Sequence, residues 1–175
     1  MLLLVAATDL ELCGHEGLVC GVGPVEAAAA TAAELAVRRP GSVLHVGLAG
    51  GRGLAAGTLV VGSESRYCDL VTAIPVVDTE RPHPALLDRV LRALPQAELQ
   101  PIGTTAAVGS APHDVPVEAM EGFGVLRAAA RAGVPAVEVR AISNELGEPD
   151  RARWQLGTGL EALRAALPSL LDALQ

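Results

Sequence analysis

Three polar side chains stand where this sequence could act on a bound small molecule. Glu11 and Asn144 each follow an apolar run, and Glu121 lies between Met120 and Gly122. A carboxylate in apolar surroundings is costly to bury unless it is hydrogen-bonded, which favours a functional role for Glu121. Taken alone, Glu11 also fits a solvated loop carboxylate, and Asn144 also fits a side chain that caps a turn. The chemistry available to this set is general acid–base catalysis and hydrogen bonding to a polar ligand.

Two glycine-rich segments could bring backbone close to that ligand. Gly47–Gly53 is predicted to be a loop, in which Ala49 and Gly50 are the candidate contacts, although the same glycines also fit a packing role. The turn Gly21–Gly23 does not continue as the dinucleotide motif GxGxxG, because position 26 is Glu. No acidic residue ends a strand about 20 residues further on, so a nicotinamide cofactor is not expected.

An alternation of strands and helices must position these residues. Apolar runs predict strands over Leu2–Ala7, Leu18–Cys20, Val43–Val46, Thr58–Val61, Pro101–Val108 and Ala136–Ile142. Helices are predicted over Val25–Val37, Ala85–Leu94, Val117–Ala132 and Gly159–Leu174, and a loop over Thr79–Pro84. The alternation predicts one α/β domain over residues 1–175, built as a three-layer sandwich. Ligands of such folds bind outside the carboxyl ends of the strands, where the polar segments named above would meet.

Composition narrows the possible partners. The net charge is −7 and no basic run occurs, which disfavours nucleic acid and anionic membranes and favours a small molecule. The three cysteines lack the spacing of a metal site and are predicted to be reduced thiols. We expect no metal and no cofactor. The apolar N-terminus is too short to span a bilayer and lacks a basic signal-peptide start, so a cytoplasmic protein is expected.

Six motifs occur in an order that resembles the purine nucleoside phosphorylase and nucleosidase superfamily over nearly the whole chain. They are Ala7–Glu11, Gly21–Ala28, Gly47–Gly51, Ser65–Asp69, Val117–Gly122 and Val139–Asn144. Within that superfamily, Arg140–Asn144 followed by Pro149–Trp154 is most similar to the futalosine hydrolases of menaquinone biosynthesis. The related methylthioadenosine/S-adenosylhomocysteine nucleosidases usually have Asp where this chain has Asn144. The resemblance implies a nucleoside phosphorylase-like fold with a mixed, largely parallel central sheet.

The resemblance also implies roles for the polar residues. Glu11 would activate an attacking water, Glu121 would accept hydrogen bonds from the ribose 2′- and 3′-hydroxyls, and Met120 would pack against the ribose. Asn144 would contact the purine and favour the departure of hypoxanthine; unlike Asp, it can donate a hydrogen bond but cannot transfer a proton in the same way. The phosphorylases hold phosphate with an Arg and a hydroxyl residue, and this chain has His45 and Leu48 at those positions. Hydrolysis, not phosphorolysis, is therefore predicted.

Futalosine carries a carboxyphenyl group on its 5′ side, so the resemblance implies a cation at that end of the site. The sequence leaves five candidates open: Arg66, Arg81, His83, Arg151 and Arg153. The family usually forms homodimers in which a loop of the neighbouring subunit closes the 5′ pocket, and residues 71–84 lie where that loop would be. Two other readings stay open, namely a methylthioadenosine/S-adenosylhomocysteine nucleosidase and a relative that binds a nucleoside without catalysis.

Overall fold

A computed structural model describes residues 1–112 and 114–175. Its strands are β1 (Leu2–Ala6), β2 (Leu18–Val19), β3 (Ser42–Gly51), β4 (Leu59–Tyr67), β5 (Thr79–Glu80), β6 (Glu98–Thr104), β7 (Val117–Ala119) and β8 (Ala136–Glu145). Its α-helices are α1 (Pro24–Arg38), α2 (Pro84–Ala93), α3 (Gly122–Ala132) and α4 (Leu156–Leu174), and a 3₁₀ turn covers Arg151–Arg153. Pro24 and Pro84 each lie in the first turn of a helix, where a missing N–H leaves no hydrogen bond unmade.

All eight strands join one mixed sheet. Within the described residues, five strand pairings are parallel and three are antiparallel. The long strand β3 pairs with β8 along one edge, while β1 and then β7 occupy its other edge. Because β8 also pairs with β4, β4 with β6, and β6 with β7, these five strands close on one another in a ring.

Helices cover both faces of the sheet and divide the core. One apolar cluster lies under α2 and α4 and includes Leu44, Val90 and Leu163, all fully buried. A second cluster lies under α1 and α3, and a third fills the inside of the ring with Val60, Ile102 and similar residues. Ala, Val and Leu make up most of this core, as expected for a chain with a single Phe, Trp and Tyr. The predicted α/β three-layer architecture with a mixed, largely parallel sheet is confirmed.

Most of the predicted elements are found within a few residues of their expected ends. The predicted loop over residues 79–84 contains the two-residue strand β5, and the predicted strand Pro101–Val108 is found as β6, which ends at Thr104. Two further predictions are wrong. Gly47–Gly51 is not a loop but the second half of β3, because its backbone pairs with β8 and, at Gly50 and Gly51, also with β7. Val117–Ala119 is not helical but forms β7 between β3 and β6, so the predicted helix begins only at Gly122. No helix of the described residues is long and apolar enough to cross a membrane.

Candidate active site

A cavity of about 750 Å³ opens at the carboxyl ends of β1, β3, β7 and β8. Its lining includes the six residues that the sequence singled out: Glu11, Ala49, Gly50, Met120, Glu121 and Asn144. They come from four separate parts of the chain, and the sheet brings them together because β1 and β8 both flank β3 in parallel while β7 pairs with its last two residues. The volume is ample for a nucleoside-sized ligand.

Glu11 lies in the turn that follows β1, where it is only 8% exposed. Its Oε2 accepts hydrogen bonds from the backbone N–H of Thr8, at 3.0 Å, and from the Thr8 hydroxyl, at 2.7 Å. Its Oε1 accepts a third, at 2.9 Å, from the N–H of Leu48 in β3. These three donors fix the carboxylate against the wall of the cavity and join the end of β1 to β3.

Glu121 lies immediately before α3 and is 5% exposed. Its Oε1 accepts a hydrogen bond from the N–H of Gly23, at 3.2 Å, and its Oε2 lies 3.4 Å from Nη1 of Arg140. Burial raises the pKa of this carboxyl above its usual value, and the nearby Arg140 guanidinium opposes that rise only in part. Each carboxylate oxygen of Glu121 has only one of these two contacts, so both oxygens keep unused acceptor capacity.

Arg140 is fully buried beneath the cavity floor. Its Nε donates to Oε1 of Glu138, at 2.8 Å, and its Nη2 donates to Nε2 of His45. An Arg side chain has no acceptor, so His45 must carry its proton on Nδ1, which donates to the Val5 carbonyl oxygen at 3.1 Å. Burial, with the charge of Arg140, holds the pKa of His45 well below its usual value, so this imidazole stays neutral.

Gly47 leaves room for the guanidinium of Arg140 near Glu11 and Glu121. A side chain at this position of β3 would collide with Nη1 of Arg140 and would crowd Oε1 of Glu11. The same Nη1 faces Glu121 and the carbonyl oxygen of Leu48. The guanidinium of Arg140 therefore lies close to the carboxylates of both Glu11 and Glu121, and it is fully buried there.

Asn144 ends the buried part of β8 and is 8% exposed. Its Oδ1 accepts a hydrogen bond from the Ser143 hydroxyl, at 2.8 Å, and its Nδ2 donates to the carbonyl oxygen of Glu145, at 3.1 Å. A primary amide has two N–H donors, so one of them is left for a ligand in the cavity. Gly50 lies directly alongside, since a methyl group there would be 3.0 Å from Nδ2.

The outer wall of the cavity is formed by two segments that lie outside the sheet. Val108 and Gly109 belong to the first, and buried Glu118 holds it in place by accepting hydrogen bonds from the N–H groups of Gly109 and Ala111. The second segment follows β8 and contributes Arg151 and Trp154, with the guanidinium 5.3 Å from the centre of the indole ring. This distance is within the range of a cation–π contact.

The five cations proposed for the 5′ side lie in different places. Arg66 and Arg81 both pair with Glu64, and Arg66 also pairs with Asp114. His83 lies at the far end of the sheet beside Met1, and Arg153 pairs with Glu148 and Asp150. Arg151 is the cation found on the cavity wall among the residues that the structure describes.

Sequence reasoning assigned no role to Arg140, Glu138 or Glu118, although all three are buried at or beneath the site. A signal was present: Glu138 and Arg140 are two apart within the apolar run Ala136–Ile142, so their side chains share one face of a strand. Charged residues within a strand that is buried on both faces must pair with one another or serve a site. Within residues 1–112 and 114–175, no group of three His, Cys, Asp or Glu side chains is arranged to hold a metal ion.

Comparisons of the sequence identify the family. Residues 17–174 match the family model described as the phosphorylase superfamily. The futalosine hydrolase of Streptomyces coelicolor is 38% identical, in an alignment that covers 93% of this chain and 80% of that protein. The futalosine hydrolase of Acidothermus cellulolyticus is 35% identical, with 87% of this chain and 73% of that protein covered.

Comparisons of the structure add the fold. The methylthioadenosine/S-adenosylhomocysteine nucleosidase of Neisseria meningitidis, solved with methylthio-immucillin-A, superposes with a TM-score of 0.86 at 19% identity and covers 99% of both chains. The futalosine hydrolase of Helicobacter pylori superposes with a TM-score of 0.86 at 16% identity, covering 99% of this chain and 97% of the other. At such identities the likeness concerns the fold, which the two activities share.

Proposed function

The chain belongs to the phosphorylase superfamily and, within it, to the futalosine hydrolases, and on that premise we propose that it hydrolyses the N-glycosidic bond of futalosine. The products are hypoxanthine and dehypoxanthine futalosine, and the reaction belongs to menaquinone biosynthesis. One observation carries the proposal: two buried carboxylates from distant parts of the chain, Glu11 and Glu121, face a single nucleoside-sized cavity.

The two carboxylates divide the work. Glu11 binds a water molecule, whose oxygen adds to C1′ of the ribose while its proton passes to the carboxylate. The bond between C1′ and the purine nitrogen breaks with its electron pair leaving on the purine, which takes up a proton from a second water molecule. The hydroxide formed in that step removes the proton from Glu11 and restores its carboxylate. Glu121 accepts hydrogen bonds from the 2′- and 3′-hydroxyls, and these strengthen as positive charge develops on the ribose. Met120 lines the cavity and packs against the sugar.

We infer that water is the nucleophile because neither residue that holds phosphate in the phosphorylases has a counterpart in this chain at positions 45 and 48. His45, at the position where phosphorylases carry an Arg, is fully buried and already bound to Arg140 and Val5. Leu48, at the hydroxyl position, lines the cavity with an apolar side chain. At these two positions the described chain offers a phosphate dianion neither a guanidinium nor a hydroxyl, whereas a neutral water needs only the acceptor that Glu11 provides.

The two ends of the substrate are recognised by different groups. The free N–H of Asn144 donates to the 6-oxopurine, and the backbone around Ala49 and Gly50 lies beside the base. Arg151, stacked on Trp154 at the outer wall, meets the carboxylate of the 5′ carboxyphenyl group. A planar guanidinium is suited to bidentate binding of a carboxylate, and the other four cations lie elsewhere.

A panel of substrates tests the activity. Purified protein is incubated with futalosine, inosine, methylthioadenosine and S-adenosylhomocysteine, with and without phosphate, and the free base is assayed. We expect hypoxanthine from futalosine, at a rate that phosphate does not change. Adenine from methylthioadenosine would instead indicate the related nucleosidase activity, and no base from any substrate would indicate a nucleoside-binding protein without catalysis.

A variant of Arg151 tests the 5′ end separately. Arg151→Gln should raise KM for futalosine and leave kcat nearly unchanged, because the carboxylate lies away from the bond that breaks. Arg153→Gln is the matched control, since Arg153 is a neighbouring arginine that pairs with Glu148 and Asp150. An equal effect of both substitutions would contradict a specific role for Arg151.

We also propose a cytoplasmic homodimer in which residues 70–77 contact the partner subunit. This segment exposes a run of large apolar side chains, with Val71 at 92% and Ile74 at 69%. An apolar run of this kind is typical of an interaction surface. The three cysteines are free thiols, as is usual in a reducing compartment. Light scattering should give the mass of a dimer, and Ile74→Glu should shift it toward the monomer.

A further inference from the structure

We propose that Glu138 is a positioning residue, which acts through Arg140 to keep Glu121 free to bind the ribose hydroxyls. This inference rests on the proposed role of Glu121. Glu138 lies on β8 beneath the cavity and is not part of its lining. Its influence on a substrate must therefore pass through the guanidinium that lies between the two carboxylates.

The contacts of Arg140 are strong on one side and weak on the other. Towards Glu138 the Nε donor makes a charge-assisted hydrogen bond of 2.8 Å, and Nη2 donates a hydrogen bond to Nε2 of His45. Towards the cavity, Nη1 lies 3.4 Å from both Glu121 and the Leu48 carbonyl oxygen, which is the outer limit of a hydrogen bond. The guanidinium is thus held back from Glu121 by Glu138 and His45 together.

Gly122 provides the space for this arrangement. Any side chain at this first residue of α3 would collide with both carboxylate oxygens of Glu138. The second oxygen, Oε2, is buried and has no hydrogen-bond partner among the described residues. Its placement against the start of α3 puts the carboxylate at the positive end of the helix, which is favourable for a negative charge.

Stability alone gives a poor account of this buried pair. Desolvation of two ions can exceed their mutual attraction, and well-packed apolar residues often replace such a pair without loss. A consequence for the site does follow from its geometry. Without the charge of Glu138, the nearest carboxylate for Arg140 is Glu121, and the guanidinium would shorten its 3.4 Å contact there. Glu121 would then be committed to an ion pair and would bind the ribose hydroxyls less well.

Glu138→Gln is the direct test, because it keeps an oxygen for Nε of Arg140, removes the charge and replaces the unpaired Oε2 by an amide NH₂. We expect kcat/KM for futalosine to fall by about 10- to 100-fold, the usual effect of removing a residue that orients a catalytic group. Calorimetry should show weaker binding of the ribose-bearing product, dehypoxanthine futalosine, and unchanged binding of hypoxanthine. A purely structural defect would weaken the binding of both products.

Two further variants complete the experiment. Glu34→Gln is the matched control, since Glu34 also pairs with an arginine, Arg38, but lies on α1 and outside the cavity lining. It should leave both products and turnover unaffected. Gly122→Ala keeps every charge but displaces the Glu138 carboxylate. It should therefore also weaken the binding of dehypoxanthine futalosine and leave the binding of hypoxanthine unchanged. If Glu138→Gln does not fold, this variant provides the test.

The outcomes separate this inference from the proposed function. If the wild-type protein releases no hypoxanthine from futalosine, the proposed function is wrong and the role of Glu138 falls with it. If the wild type is active but Glu138→Gln and Gly122→Ala bind the ribose-bearing product as tightly as before, the inference alone is wrong. Equal weakening of both products in these variants would also overturn it.

Discussion

At the scale of single residues, Glu11 and Glu121 differ in how much hydrogen-bonding capacity they have left. A carboxylate offers about four acceptor positions. Glu11 uses three of them for Thr8 and Leu48, which leaves room for one further donor such as a water molecule. Glu121 accepts one hydrogen bond from Gly23, at 3.2 Å, and a longer one from Arg140, at 3.4 Å, which leaves room for two hydroxyls. This difference supports a water-activating role for the first and a ribose-binding role for the second.

Substitution of Glu11 should therefore remove turnover and spare binding. In Glu11→Gln we expect kcat for futalosine to fall by about 10²- to 10⁴-fold, the usual contribution of a general base. The affinity for the two products should change little, because the ribose and base contacts remain. Steady-state kinetics and calorimetry measure both quantities. A nearly normal kcat would show that another group activates the water.

Asn144 should govern the choice between 6-oxo and 6-amino purines. Its free amide N–H donates to an oxo group, whereas the carboxylate of Asn144→Asp accepts from an amino group. We expect this substitution to shift the ratio of kcat/KM values by about tenfold or more toward methylthioadenosine and away from futalosine, since an unpaired buried polar group costs about 1–3 kcal/mol. Asn144→Ala is the control that removes both interactions. An unchanged ratio in the aspartate variant would place the recognition of the base elsewhere.

Sequence reasoning singled out three polar residues of the cavity lining but missed Glu118 there, and it did not use the signal that Glu138 and Arg140 share one face of a strand. Glu11, Glu121 and Asn144 each stand next to an apolar run, so their position at a strand or helix end could be read from the sequence. Glu138 alternates with Val137 and Val139, and such alternation is typical of a strand with one face in water. In the fold both faces of β8 are covered, so the polar face points into the protein and its charges must be neutralised there.

At the scale of elements, the glycine-rich segment shows why a loop was expected and a strand is found. Glycine has a low intrinsic preference for strands, so Gly47–Gly51 has the composition of a loop. Tertiary pairing outweighs that preference, because β8 and β7 satisfy its backbone from both edges. The register shift between Ala49 and Gly50 is the remaining irregularity, and it lies on the cavity wall. The sequence predicts that Ala49 and Gly50 line the cavity but not how the backbone of this segment pairs.

The segment that closes the outer wall depends on one buried carboxylate. Glu118 accepts hydrogen bonds from the Thr105 hydroxyl and from the N–H groups of Gly109 and Ala111. In Glu118→Gln the amide N–H₂ would face one of these donors, so the segment should loosen. We expect a higher KM with a smaller change in kcat, and faster amide hydrogen exchange over residues 105–112.

Glu98→Gln is a suitable control for that experiment. Its carboxylate lies at the start of the neighbouring strand β6, away from the cavity lining, and accepts a hydrogen bond from Gln100. This variant should leave KM and exchange unchanged. Unaltered exchange in Glu118→Gln would mean that the segment is held mainly by its other contacts, including that of Asp69 with Ala106.

At the scale of the whole molecule, the sheet explains how a site can contain so many charges. The ends of β1, β3 and β8 lie side by side in parallel, and β7 pairs with the last two residues of β3. The core of Ala, Val and Leu beneath them excludes water from Arg140, Glu138 and His45. Electrostatic interactions are stronger in such surroundings than in water. One buried guanidinium thus faces three carboxylates, an excess of negative charge that favours a cationic transition state.

The burial of Glu121 should favour its protonated form for stability, whereas activity needs its ionised form. Both effects can be measured as a function of pH. Burial raises its pKa above the usual value of 4.5, so in the folded protein the ionised form is disfavoured relative to the unfolded chain. The stabilising contribution of this group is complete below the unfolded pKa and is lost as pH rises through the raised folded pKa. Catalysis needs the ionised form, so kcat/KM should rise over that same interval.

Glu121→Gln separates the two effects because its amide does not titrate. Denaturant titrations from pH 4 upward should show the variant gaining stability relative to the wild type as pH rises through the folded pKa of Glu121, then keeping a constant difference. Over the same range the variant should show little turnover and weak binding of the ribose-bearing product at every pH. A constant difference in the free energy of unfolding across the whole range would mean that Arg140 offsets the cost of burying the charge, and the conflict between activity and stability would not exist at this residue.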